Sequence, residues 1–285
     1  MMAHQVVRLV ELAVGVAAAL AMVWAALPGE RPWTVVWGCV RRLVRSRSRI
    51  LYLSGFLALL AFNYLWLQLG ADRWCTEQVV ARRGADFTEV IHRGIEGDAV
   101  AHIQSAVGCG PLTWGLGFAY VTVFPCMIFT ALFVFDHQGN RLGLGLVLAG
   151  YLLNYLLELP FFVCVPVRET FVYYQESGLG PPAARLLLDD ISPLIMEVYR
   201  GMSGVDNCLP SFHTSLSVTL ALVAWHGGRR LGWLMSLAAV PTVLATVYLG
   251  IHWVTDFAAG LVVGVVVYGL SRRIVRRWVP EGGDG

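Results

Sequence analysis

The stretch GLGLVLAGYLLNYLLELPFFVCV, residues 143–165, decides the fold. An apolar helix of roughly 20 residues is what crosses the hydrocarbon core of a bilayer, and this run has that length. Further apolar runs of similar length lie around it, at about 9–27, 50–69, 112–135, 211–226, 231–250 and 256–271. Together they predict an all-α protein, a polytopic bundle of transmembrane helices. The first run follows Arg8 like a signal peptide, but Glu11 interrupts it and an arginine-rich flank follows, so it reads as a retained helix.

Composition points the same way. A mean hydropathy of +0.64, with 57% hydrophobic and 14% charged residues, lies outside the range of soluble domains. The formal charge of +2 is too small to imply a nucleic-acid partner. All 21 basic residues are arginine. Without lysine there is no Schiff-base or lysine-nucleophile chemistry, and any phosphate clamp must be built from arginine, backbone N–H groups and histidine. The cysteines, Cys39, Cys75, Cys109, Cys126, Cys164 and Cys208, form no CxxC pair and no zinc-like spacing, so neither a metal nor a cofactor is expected.

Arginine also sets the expected orientation, because basic residues in short flanking loops resist translocation. Arg31, Arg41, Arg42, Arg45, Arg47 and Arg49 follow the first run, and residues 41–49 read as an anchor against anionic headgroups. Counting onward puts Arg141, Arg229, Arg230, Arg272, Arg273, Arg276 and Arg277 on the cytoplasmic side as well. Two longer segments, about 70–111 and 166–210, then share the outer face. In the first, Val79, Val80, Phe87, Val90, Ile91, Ile95, Val100 and Ile103 recur at three- and four-residue steps, as in amphipathic helices lying in the interface. They read as a cap packed on the helix ends. Cys75 and Cys109 share that segment, where an oxidising compartment would allow a disulfide between them. The division expected is 1–49 for the first helix and arginine loop, 50–271 for the membrane domain and 272–285 for a basic, then flexible, dispensable tail.

Two segments at outer helix ends carry the chemistry: Cys208-Leu-Pro-Ser-Phe-His213 and Tyr248-Leu-Gly-Ile-His252-Trp-Val-Thr-Asp256. Four residues apart on a helix, His252 and Asp256 share a face. The carboxylate then fixes one ring nitrogen and leaves the other free to attack phosphorus. His213 follows Pro210 at a helix start, whose N–H groups and dipole favour a bound phosphate. His4, His92, His102, His137 and His226 have no such company and read as structural.

These segments resemble the second and third motifs of the type 2 phosphatidic acid phosphatase superfamily, PSGH and SRxxxxxHxxxD, over roughly residues 50–271. Phe212 stands in place of the glycine, Ala245-Thr246 in place of Ser-Arg, and the lysine-containing first motif is missing. The pattern is similar to the branch of inositol phosphorylceramide synthase and sphingomyelin synthase. The resemblance implies a six-helix catalytic core plus an additional N-terminal span. His252 would form a phospho-histidine, Asp256 would orient it, and His213 would protonate the leaving group.

Arg168 is the first candidate to replace the missing clamp, and Arg200 the second. For either, a salt bridge to Glu169, Asp189, Asp190 or Glu197 is the competing reading. Ser211 and the backbone N–H groups of Phe212 and His213 would complete a cradle. The expected substrate is a membrane lipid. Loss of the lysine motif favours a phosphotransferase acting at the extracytoplasmic face, with an alcohol acceptor such as inositol. A hydrolase acting on phosphatidic acid or a polyprenyl phosphate uses the same chemistry. A non-catalytic lipid or solute transporter, with the His–Asp cluster as proton relay, is the reading from another class. The outer-end placement of both motifs speaks against it.

Overall fold

The structure, a computed structural model, describes residues 2–45, 71–83, 87–191 and 207–279, with scattered residues between 54 and 65. The run expected at 50–69 lies largely outside them, as do Arg200 and Glu197. The helices are α1 (Met2–Ala26), α2 (Pro32–Arg45), α3 (Ala71–Arg83), α4 (Phe87–Ile91), α5 (Ala99–Val107), α6 (Gly110–His137), α7 (Arg141–Cys164), α8 (Thr170–Ser177), α9 (Phe212–Ala224), α10 (Arg229–Tyr248) and α11 (Val254–Trp278). The described residues form no strand beyond the isolated bridge between Val167 and Asn207.

Among the described residues, four helices are long and apolar enough to cross a bilayer: Gly110–His137, Arg141–Cys164, Arg229–Tyr248 and Val254–Arg277; Leu12–Ala26 is apolar but shorter. The protein is a multi-pass membrane bundle. At the expected span 211–226, Ser211 caps α9 and the α-helix gives way at Ala224 to the Trp225–Gly227 turn. From the His213 end it leads to Arg229 at the start of α10, which returns towards His252. Helix α9 is the hub. It packs against α6, α7, α10 and α11, burying Leu216, Leu220, Val223 and Ala224 in a core shared with Met127, Phe135, Leu146, Leu231 and Met235.

Small residues let α9 and α11 approach closely. A Cβ on Gly260 would stand 2.8 Å from Ser211 O, and one on Gly264 2.5 Å from Ser215 O. A polar seam fills the neighbouring contact. Asn154 Nδ2 donates to Gly150 O at 2.8 Å and to Thr219 Oγ1 at 3.1 Å, Thr219 Oγ1 donates to Gly264 O at 3.1 Å, and Ser215 Oγ donates to Glu158 Oε1.

Among the arginines expected to be anchors, Arg42 is corrected. It pairs with the buried Asp136 at 2.8 Å, tying α2 to α6. The tail boundary shifts too, since α11 continues to Trp278; residues 280–285 lie outside the described residues. Residues 71–83, 87–96 and 99–107 are helical, and Ile91, Val100 and Ala101 bury against Val167, Tyr173, Tyr174, Cys208 and Trp253. Cys109 carries a free thiol; the side chain of Cys75 lies outside the described residues.

Candidate active site

His252 sits in the turn between α10 and α11. Gly250, at φ +80°, allows the turn, and a side chain there would run into Arg185 O. The 166–191 segment holds the turn by its backbone: Leu249 O, Gly250 O and Ile251 O accept from Leu187, Phe171 and Thr170 N–H at 2.9–3.0 Å. His252 N donates to Thr246 O at 2.9 Å. The imidazole is therefore placed by backbone contacts from outside its own helices.

The geometry corrects the expected His–Asp arrangement. His252 precedes α11, so the two side chains do not share a helical face. Asp256 sits in the first turn, and its Oδ2 accepts from Trp253 N at 2.9 Å as a cap. His252 Nδ1 lies 3.5 Å from that oxygen, but 3.1 Å from Cys208 O and 3.0 Å from Cys208 Sγ. A carbonyl oxygen only accepts, so Nδ1 carries the proton and Nε2 keeps its lone pair. The tautomer expected from a carboxylate is set here by a backbone carbonyl, with the Asp256 charge just behind. Burial pushes the Cys208 thiol up, so it holds its proton at neutral pH.

His213 enters from α9. Its ring stacks on Tyr120 with centroids 4.1 Å apart and leans on Phe124 at 4.3 Å. Tyr120 belongs to a π-helical turn, Ala119–Val123, in the middle of α6. Pro125 has no N–H for Val121 O, which interrupts the α-helical ladder there. Burial, with a smaller contribution from the charge of His252, pushes the His213 imidazole down to about 3. Ser211 N donates to Asp256 O at 3.2 Å, joining the two helix starts directly.

The remaining candidates take other positions. The Ser211 hydroxyl is buried and caps α9, accepting from Thr214 N at 3.4 Å and Thr214 Oγ1 at 3.1 Å. The Phe212 ring packs edge-on to Tyr151, facing α7. Arg168 pairs with Glu176 at 2.7 Å and lies over the Tyr173 ring. His226 bonds Tyr268 and His102 its own Asp98 carbonyl. His92 joins Asp98, Tyr173 and Tyr174 in a polar cluster beside Trp253, whose indole donates to Arg168 O at 2.9 Å. Hydrogen bonds from His92 and Tyr174 hold the Asp98 carboxyl below its usual range.

Sequence reasoning missed Glu96. Its carboxylate accepts from Val254 N at 3.1 Å, Thr255 N at 2.8 Å and Thr255 Oγ1 at 2.9 Å, so the cap segment holds the start of α11 beside His252. No spacing signals a contact across 158 residues. Burial raises the Glu96 carboxyl above 4.5, against the lowering effect of the Thr255 and Val254 bonds. A carboxyl raised on folding contributes most below its unfolded pKa, and that contribution is lost as pH rises through the folded value. The melting-temperature margin of wild type over Glu96→Gln therefore narrows as pH rises from about 4 to about 8. Thermal unfolding across that window checks the sign.

A family profile, the PAP2 superfamily, matches residues 138–280, about half of the chain. The chain is also similar to undecaprenyl-diphosphatase BcrC of Bacillus subtilis (strain 168), 24% identical over 152 residues. That stretch covers 52% of this chain and 66% of the relative, just under two thirds of its length. No solved structure matches the chain.

Proposed function

The chain belongs to the PAP2 superfamily, and from that premise we propose that it is a membrane lipid phosphatase cleaving a lipid phosphate or diphosphate of the polyprenyl type through phospho-His252. The observation that carries this is the His252 ring, with Nδ1 held by Cys208 O beside Asp256, and the Ser211 to Asp256 backbone bond that brings the start of the His213 helix to it. Nε2 attacks phosphorus, and the lipid oxygen leaves with a proton from His213, whose depressed imidazole takes up that proton when the negative charge of the substrate arrives beside it. Asp256 offsets the positive charge that the imidazole gains. Water then attacks the phospho-histidine, gives a proton to His213 and releases phosphate. Phosphoryl transfer needs mostly positioning and charge neutralisation. A similar diphosphatase supports water as acceptor. The missing lysine supports a second reading, transfer to an alcohol such as inositol. The arginine-bearing starts of α7 and α10 and end of α11 lie away from both histidines, which supports an extracytoplasmic site.

Purified protein in detergent, given short-chain phosphatidic acid, phosphatidylinositol and polyprenyl mono- and diphosphate with and without inositol, separates the readings. Release of inorganic phosphate by wild type alone, against a His252→Ala control, supports hydrolysis. A new phospho-headgroup product makes transfer the reaction, and dissipation of a lipid gradient without chemistry sinks both.

Arg168 is proposed as the phosphate clamp, reached by exchanging Glu176 for substrate. Arg168→Ala should raise KM about 10-fold, the scale of one charge-assisted hydrogen bond, while Glu176→Gln should not raise it. Unchanged KM in Arg168→Ala would leave the arginine with only its salt bridge.

A further inference from the structure

Cys208, His252 and Asp256 are all buried, and each offers one ligand atom with all three atoms within 4.8 Å of one another. No sequence spacing joins them, since a turn and two helix starts bring them together. A tetrahedral zinc ion with bonds of about 2.3 Å to sulfur and about 2.0–2.2 Å to nitrogen and oxygen needs ligand-to-ligand edges of roughly 3.3–3.6 Å. The His252 Nδ1 to Asp256 Oδ2 separation of 3.5 Å fits. The Cys208 Sγ to His252 Nδ1 separation of 3.0 Å must open by roughly 0.5 Å to reach that edge. Asp256 is fully buried, and its Oδ1 has no hydrogen-bond partner. Thiolate, imidazole and carboxylate together suit zinc and other thiophilic divalent cations. Three ligands leave a fourth position open.

We propose that these three residues form an inhibitory site for a thiophilic divalent cation, with zinc the physiological member of the class. Its inhibitory role rests on the phospho-His252 reading; metal binding does not. On binding, Cys208 loses its thiol proton to solvent and forms a metal–sulfur bond. Nδ1 gives up its proton to form a metal–nitrogen bond, and that proton moves to Nε2. One proton is released and no electron moves. The nitrogen that attacks phosphorus thereby loses its lone pair, and Asp256 is diverted from supporting the imidazole.

Cobalt(II) reports thiolate ligation without any catalytic turnover. Titrated into the purified full chain in detergent, it should give a near-ultraviolet thiolate-to-cobalt charge-transfer band. The band should vanish in Cys208→Ser and persist when Cys39, Cys109 and Cys164 are replaced together by serine. With a lipid phosphate substrate, zinc should suppress wild-type turnover at least 10-fold and chelator should restore it. The zinc concentration for half-inhibition of whatever activity Cys208→Ser retains should rise at least about 10-fold, since even outer-shell losses weaken metal sites that much. A band absent from wild type, surviving Cys208→Ser or lost with the other three cysteines overturns the proposal. If lipid phosphates are not hydrolysed while the band behaves as described, the enzymatic reading fails and the metal site stands.

Discussion

Replacing His252 by alanine should lower kcat by at least about 10⁴-fold, at or beyond the upper end of what one acid–base group supplies. The expected loss is that large because no neighbour can substitute. Cys208 is a buried thiol bonded to Ile251 O, Asp256 caps a helix, and His213 is stacked between aromatic rings. Quenching wild type with labelled substrate should trap an acid-labile, base-stable phospho-protein absent from the variant. In His213→Ala the same adduct should form slowly and persist, because the base that activates water is gone. A labelled adduct in His252→Ala would place the nucleophile elsewhere and end the phospho-His252 reading. Asp256→Asn should be milder, since Cys208 O still fixes the tautomer, and its defect should lie in kcat.

Gly264→Val should damage the fold without touching a reacting atom. Its Cβ would stand 2.5 Å from Ser215 O and 2.8 Å from Val218 Cβ, and the first obstacle is backbone that cannot rotate aside. Relief requires α9 and α11 to separate. That strains the Thr219 to Gly264 bond, and with it the register that sets Ser211 against Asp256. Overpacking of this kind costs about 1–3 kcal/mol, so the melting temperature should fall by several degrees and kcat should drop with it. Gly269→Val is the matched control, because a Cβ there meets nothing within 4 Å. Equal melting temperatures for the two variants would show that the helix contact is not where the fold is tight.

What the sequence made legible depended on how local each signal was. Hydropathy over 110–137, 141–164, 229–248 and 254–277 reads directly as helices, because the bilayer demands length and apolarity of each segment separately. Helix α9 is as apolar but shorter, and its neighbours in the bundle bury most of it. His213, His252 and Asp256 were findable because their spacing is short. The role of Cys208 was hidden although it stands in the same stretch as His213, because its carbonyl meets an imidazole 44 residues on. Glu96 was hidden for the same reason, at greater range. Arg168 keeps company with Glu176, a carboxylate outside those anticipated, because α8 turns that residue back over it.

The packing of α9 also bears on the order in which the site is put together. His252 lies in the turn between α10 and α11, while the Ser211 N–H that meets Asp256 O lies at the start of α9. The two histidine-bearing segments are therefore locked in register only once α11 has settled along α9, the approach that Gly260 and Gly264 permit.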